Sequence, residues 1–436
     1  MVMQRGRLLA GAAALVLAAA SGTVVATRWD DGVAPGGSAT AAEKSSRAQP
    51  QAASPKARKA ALDVILAKRA TAVLRGDLKG FLASVDPQQP RFVAEQRVLF
   101  GNLRQFQFTT LRYFVADERL APTMEEKYGK TAFSTRVMMR YQLAELDPRP
   151  VQTDLGYTFV VRAGRWILVA DDAIEANLSE DGHRQPWDFQ PITVFRRGRV
   201  VVVVDKSEAA LGQKIGGVSQ TAVAAVRRHW PRPWNGAVMV VAMSEPRVMS
   251  LHWTTGTGKG WTIAAKAVTL YDGEPLTTQS AAPVGSRIVI NPAVRKDLDE
   301  DLLVHEMTHV ATVPIGVLAP VWLVEGVAEY VRCRSIEDDP RWTVDPYRKT
   351  VRSKYLPSMT VLPGDAQFDA NGDRSYGQAW WAAEYLVSTE GVKGMAALYT
   401  DLAVHNTGPA SYAAIVKKHT GKTPAQLVTA VKKFKS

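Results

Sequence analysis

From residue 62 onward, apolar side chains recur at helical spacing: Leu62, Ile65, Leu66, Ala70, Val73 and Leu74, continued by Phe81 and Leu82. Positions three and four apart share a helix face, so this stretch reads as an amphipathic helix, with a second one over Phe92 to Phe106. The period then changes to two. Arg136 to Leu143 alternates as a strand, and Tyr157 to Val161 and Trp166 to Ala170 flank Ala163-Gly164, which predicts a hairpin. Helices followed by a curved sheet predict an α+β cone over residues 57–175.

A second unit, residues 190–436, opens near Pro191. Val200 to Val204 is an apolar run of strand type, a helix is expected over Ala209 to His229, and Ala237 to Met243, Ala264 to Leu270 and Arg287 to Ile290 complete a small mixed sheet. Ser286 to Pro292 stands just before a helical stretch and is expected as an edge strand for a substrate chain, an ordinary core strand being the equal alternative. From Asp297 the pattern turns helical. Asp297 and Glu300 have the spacing of a capping box, and Asp299 and Asp301 add negative charge where a helix dipole favours it. Pro314 limits that helix, and Pro320 opens the next, which carries Glu325 and Glu329 one turn apart.

Composition adds a location. Leu8 to Ala26 carry no charge, with Arg5 and Arg7 before them and Arg28 after, the pattern of an export signal or an N-terminal anchor over residues 1–28. The run is long enough to span a bilayer, and an anchor with extracytoplasmic C-terminal domains is the expectation. Ala18-Ala19-Ala20 offers a cleavage site for the alternative, a secreted protein. Residues 29–56, rich in Ala, Gly, Ser, Pro and Gln, read as a disordered tether. A single cysteine, Cys333, excludes an intramolecular disulfide and reads as a small core residue. The net charge of +12 favours anionic neighbours such as acidic lipids or wall polymers. It does not indicate nucleic acid, because the basic residues are scattered without interleaved aromatics and Lys432, Lys433 and Lys435 read as a solvated helix end.

The candidate chemistry lies in His305-Glu306-Met307-Thr308-His309. On a helix, two histidines four apart converge on one side, where they can share a metal ion with Glu306 beside them. A catalytic zinc takes three protein ligands and keeps one open position, so one ligand is still required, and Glu325 can supply it. Glu306 is then the general base, and Glu329 is placed to accept a hydrogen bond from a ligating imidazole, or else is a surface carboxylate. His183, His229, His252, His405 and His419 show no ligand spacing. The glycine-rich Thr255 to Gly260 lacks the setting of a phosphate loop and reads as a surface loop.

His305 to His309, together with Trp322-Leu323-Val324-Glu325-Gly326-Val327-Ala328-Glu329-Tyr330, resembles the gluzincin metallopeptidases, in particular the MA-like peptidase domain of bacterial envelope proteins. The resemblance covers about residues 195–436 and is strongest over 300–332. It implies His305, His309 and Glu325 as Zn²⁺ ligands, Glu306 as catalytic base and Glu329 as their support. It also implies an oxyanion-stabilising role for Tyr376, whose setting before Trp380 and Trp381 fits a packing residue equally well. No Gly-x-Met-Glu-Asn element precedes His305, so an endopeptidase acting on a peptide or protein is implied rather than an aminopeptidase. The order of elements over residues 57–175 and the closing Gly164-Arg165-Trp166-Ile167-Leu168-Val169 loosely resemble SnoaL-like domains, which implies an apolar pocket or a spacer and packing module. The rival expectation is an envelope binding or scaffolding protein whose cone holds the partner and whose zinc site does not turn over. The intact Glu306 favours the enzyme.

Overall fold

The computed structural model describes residues 54–120, 124–177, 184–250, 264–272 and 283–435. The expected export segment, the tether up to residue 53 and the glycine-rich Thr255 to Gly260 lie outside the described residues. Among the described residues, no helix is long and apolar enough to cross a membrane.

Helix α1 (Pro55–Arg75) starts two residues before the expected boundary, with Ser54 accepting the Ala57 amide at 3.3 Å and Pro55 in the first turn, where its missing N–H costs nothing. Helices α2 (Leu78–Leu82) and α3 (Pro90–Leu103) follow, then strand β1 (Phe108–Arg119), helix α4 (Met124–Tyr128), and strands β2 (Phe133–Leu143), β3 (Val151–Arg162) and β4 (Arg165–Ala170). The strands form an antiparallel sheet in the order β1-β2-β3-β4, curled into a half-barrel. Ala163 and Gly164 join β3 to β4 with φ of +47° and +72°, the left-handed pair that a two-residue hairpin turn needs. The free edge of β1 is tied to α1: Asp63 accepts the Val115 amide at 2.8 Å and Lys59 donates to the Val115 carbonyl at 2.7 Å.

After the short helix α5 (Ala173–Asn177), the second sheet comprises β5 (Ile192–Arg197), β6 (Val200–Asp205), β7 (Val238–Val241), β8 (Ala265–Tyr271) and β9 (Pro283–Ile290), with helix α6 (Ala209–His229) between β6 and β7. Their order is β5-β6-β7-β9-β8. Strand β9 is therefore internal, parallel to β7 on one side and antiparallel to β8 on the other, which overturns the edge strand expected over Ser286 to Pro292 in favour of its equal alternative, a core strand. The reason is its two buried faces, with Ile288 and Ile290 in one core and Val289 in another. The edge is β8.

Each face of this sheet packs on a different layer. Val200, Val202, Val204, Val238 and Val240 meet the helices, whereas Val201, Val203, Met239 and Val241 share a core with Leu62, Phe81, Tyr141 and Phe159 of the first unit. The first unit is thus packed as one body with the second. Trp187 in the connection inserts among Phe106, Phe108 and Tyr141, with ring centroids 5.1–6.0 Å away. Asn102 of α3 and Gln105 in the turn after it bond the backbone of β5 along its outer edge, and buried Asp147 meets Arg287 of β9 at 2.6 Å.

The remaining chain is helical: α7 (Glu300–Thr312), α8 (Val321–Glu337), α9 (Asp345–Thr350), α10 (Asp365–Ala370), α11 (Gly372–His405), α12 (Pro409–Thr420) and α13 (Pro424–Lys433). The fold is α+β, a curled antiparallel half-barrel followed by a small mixed sheet and a helical part.

Candidate metal centre

Helix α7 lies against β8 and β9, and everything on it from Leu303 to Thr312 is buried. Its N-cap is Asp299, which accepts the Leu302 amide at 2.9 Å, and not Asp297 as the spacing suggested. Leu298 is drawn into the core while Asp297 closes a turn onto the Val294 carbonyl, so the helix begins two residues later. Pro314 falls in a 3₁₀ turn directly after α7, and Pro320 caps α8.

These two helices bring His305, His309 and Glu325 together. The separation between the two Nε2 atoms is 3.1 Å, and Glu325 Oε2 stands 3.2 Å from His305 Nε2 and 3.4 Å from His309 Nε2. Ligands at about 2.0–2.1 Å from a tetrahedral zinc lie about 3.3–3.4 Å from one another, so the triangle has the size of one face of that tetrahedron. Among the described residues it is the single group of three such ligand atoms within 4.8 Å of one another. All three side chains are at most 1% exposed.

Charge argues in the same direction. His305 Nδ1 meets Glu329 Oε1 at 2.8 Å, an N–H donation that leaves Nε2 to face the other two ligands. Arg332, which sequence reasoning missed, grips Glu329 in turn, Nε to Oε1 at 3.0 Å and Nη2 to Oε2 at 2.6 Å, and neutralises it. An i,i+3 acid–base pair on a helix was the available signal. Glu306 and Glu325 remain as buried carboxyls beside the two imidazoles, a donor set in which a divalent cation would take the place of the proton on His305. Burial pushes Lys266 on β8 down to about 6, against the pull of Glu306, so at neutral pH it contributes little charge.

The titration of the site follows. For His305, burial disfavours the charged form, but the bonds to Glu325 and Glu329 prevail and push it up to about 10. Burial works against ionised Glu329 too, yet Arg332 and His305 hold it down to about 2. The Glu325 carboxyl is lowered because the two histidines outweigh its burial. Glu306 is raised, chiefly by burial, with the histidines and the Ala267 amide opposing. That amide faces Glu306 without meeting hydrogen-bond geometry, so neither Glu306 oxygen has a hydrogen-bond partner, and His309 Nδ1 lacks one as well. A carboxylate buried without a donor is costly, and a ligand in the site would supply the missing partner.

Tyr376 enters from α11, with its ring 6.0 Å from that of His305 and 5.0 Å from that of Phe368. Burial, reinforced by Glu325, Glu306 and Glu329, holds its hydroxyl protonated well above the ordinary range. The remaining described histidines hydrogen-bond to aspartates: His229 to Asp338 at 2.8 Å, and His405 and His419 to Asp401 at 3.0 and 2.9 Å. His183 and His252 lie outside the described residues.

No protein-family model matches the chain, and no curated protein matches it by sequence.

Proposed function

We propose that this chain is a zinc-dependent endopeptidase of the gluzincin type, with His305, His309 and Glu325 as ligands and Glu306 as general base. The observation that carries the reading is the buried triangle of two Nε2 atoms and one Oε2 with edges of 3.1–3.4 Å, with the Glu306 carboxylate from the same helix turn buried beside it.

When bound, zinc polarises a scissile carbonyl and acidifies water. The chain's own residues do the rest. Glu306, raised by burial, holds a proton more readily than an exposed carboxylate, so one of its oxygens takes the proton of the attacking water and delivers it to the leaving nitrogen. Tyr376, protonated throughout the working range, supplies an O–H donor to the developing oxyanion. Glu329 keeps the His305 ring oriented. The expected substrate is a peptide or protein outside the cytoplasm, reached from an N-terminal anchor or after secretion.

A second reading has its own observation. Ligands and base are at most 1% exposed, as in a site closed to bulky substrates, which fits an envelope binding protein with a latent centre. Elemental analysis of the purified full chain and of His305→Ala, with cleavage of an unstructured protein assayed beside Glu306→Gln, separates the two. One zinc per chain, lost in His305→Ala, with cleavage abolished in Glu306→Gln, is the expected result. Zinc without cleavage would favour the latent centre, and no zinc even after its addition would sink the site assignment and move the weight to a binding protein.

A further inference from the structure

We propose that Arg332 is a positioning residue for the metal: its guanidinium fork fixes Glu329, Glu329 fixes the His305 ring, and through them Arg332 sets the zinc affinity of the site. The inference rests on the metallopeptidase reading and extends it one layer outward.

The geometry is a relay of three side chains. Glu329 Oε1 accepts from His305 Nδ1 at 2.8 Å and from Arg332 Nε at 3.0 Å, while Oε2 accepts from Arg332 Nη2 at 2.6 Å. Both oxygens are engaged, so the carboxylate plane cannot rotate without breaking a charged hydrogen bond. The pair is well shielded, with the Arg332 and Glu329 side chains 14% and 4% exposed.

Arg332 is committed to this one partner. The neighbouring acids are taken by other cations: Glu337 by Arg334 and Arg348 at 3.0 and 3.2 Å, and Glu384 by Arg334 at 2.9 Å. Among the described residues, Glu329 is the single carboxylate paired with Arg332. The guanidinium carbon stands 5.9 Å from the ring centre of Tyr347, which itself stacks on Trp380 at 4.8 Å, so the fork is backed by a rigid aromatic wall.

Without the fork, Glu329 would be a buried carboxylate held by a single N–H. It would turn or take up a proton, and His305 would lose the acceptor that selects Nε2 for the metal. Lysine would restore the charge at one point but not the two parallel bonds.

The test measures zinc dissociation constants by chelator competition on the full-chain protein, for wild type, Arg332→Gln, Arg332→Lys, Glu329→Gln and the double variant Arg332→Gln/Glu329→Gln. The melting temperature of each metal-free form serves as a check on folding. Loss of an outer hydrogen-bond partner typically weakens metal binding by about 10–100-fold. We expect a loss in that range for Arg332→Gln, a similar one for Arg332→Lys, and a double variant no weaker than Glu329→Gln alone, because both changes cut the same relay. Wild-type affinity in a folded Arg332→Gln or Arg332→Lys, or losses that multiply in the double variant, would overturn the proposal. A wild type that binds no zinc would overturn the metallopeptidase reading itself, and this inference with it.

Discussion

Gly326 sits against the backbone of Ala379, where a Cβ on Gly326 would stand 2.5 Å from the Ala379 carbonyl oxygen. Helices α8 and α11 cross here at backbone contact. The residue before this glycine is the candidate ligand Glu325, and α11 carries Tyr376 one turn before the crossing. One close approach therefore sets the positions of two site residues from different helices.

Gly326→Ala must push the two helices apart, because the obstructing atom is main chain and cannot swing away. Overpacking of this kind costs about 1–3 kcal/mol, which a shift of the urea midpoint at unchanged slope would report. Zinc affinity should fall with it as Glu325 is displaced. A variant with unaltered midpoint and affinity would show that the approach is not needed.

Much of this centre was legible in the chain because its ligands sit at helical spacing on two short helices bracketed by Pro314 and Pro320, where local periodicity decides the geometry. Tyr376 came from resemblance alone, since its distance from His305 depends on how α11 crosses α8. Arg332 was missed because its significance appears only when Glu329 is seen to face His305. The place of β9 within its sheet stayed open between edge and core because an apolar run shows that a strand is buried, while its neighbours are settled by non-local pairing with β7 and β8. The shared core of the two units was invisible for the same reason: Val201 and Val203 look inward in sequence, but nothing local says toward what.

The two units should unfold together. Asp147 of the first meets Arg287 of the second at 2.6 Å, with the side chains 1% and 8% exposed. Asp147→Ala strands a buried guanidinium, a loss of about 3–5 kcal/mol for such pairs. One cooperative transition, shifted as a whole in Asp147→Ala, is expected in circular dichroism and in tryptophan fluorescence. Deleting residues 54–175 should leave an insoluble remainder rather than a folded enzyme, because Val201, Val203, Met239 and Val241 would be exposed. A soluble, zinc-binding remainder would contradict the shared core.

Stability should fall as the pH rises between about 4 and 7, through Asp188. Burial pushes this carboxyl up to about 7, opposed by Arg184 and the Gln185 amide and reinforced by Asp171 and Glu175. Its folded value lies above its unfolded one near 3.9, so across that window the native state keeps a proton that the unfolded chain releases. The stabilisation is fully present below about 4 and is lost by the time the pH passes 7. Asp188→Asn preserves an acceptor for the Gln185 amide, which now donates to Asp188 Oδ2 at 2.6 Å, and removes the titration. Urea midpoints of the variant relative to wild type should therefore rise from pH 4 to pH 7, and a constant difference would reject the assignment.

Tyr376→Phe separates chemistry from packing. The ring is 7% exposed and lies against His305 and Phe368, contacts that phenylalanine keeps, so the fold and zinc content should be preserved. The hydroxyl alone is lost. As an oxyanion donor it acts in the transition state and not in the bound substrate, so kcat should drop by about 10²–10³ with KM nearly unchanged. A packing residue would behave differently, because removing its hydroxyl would alter thermal stability and leave kcat within a few-fold of wild type. Steady-state cleavage of an unstructured protein at matched zinc occupancy distinguishes the two. A rise in KM at constant kcat would instead place the hydroxyl on the substrate's ground state, outside the oxyanion site.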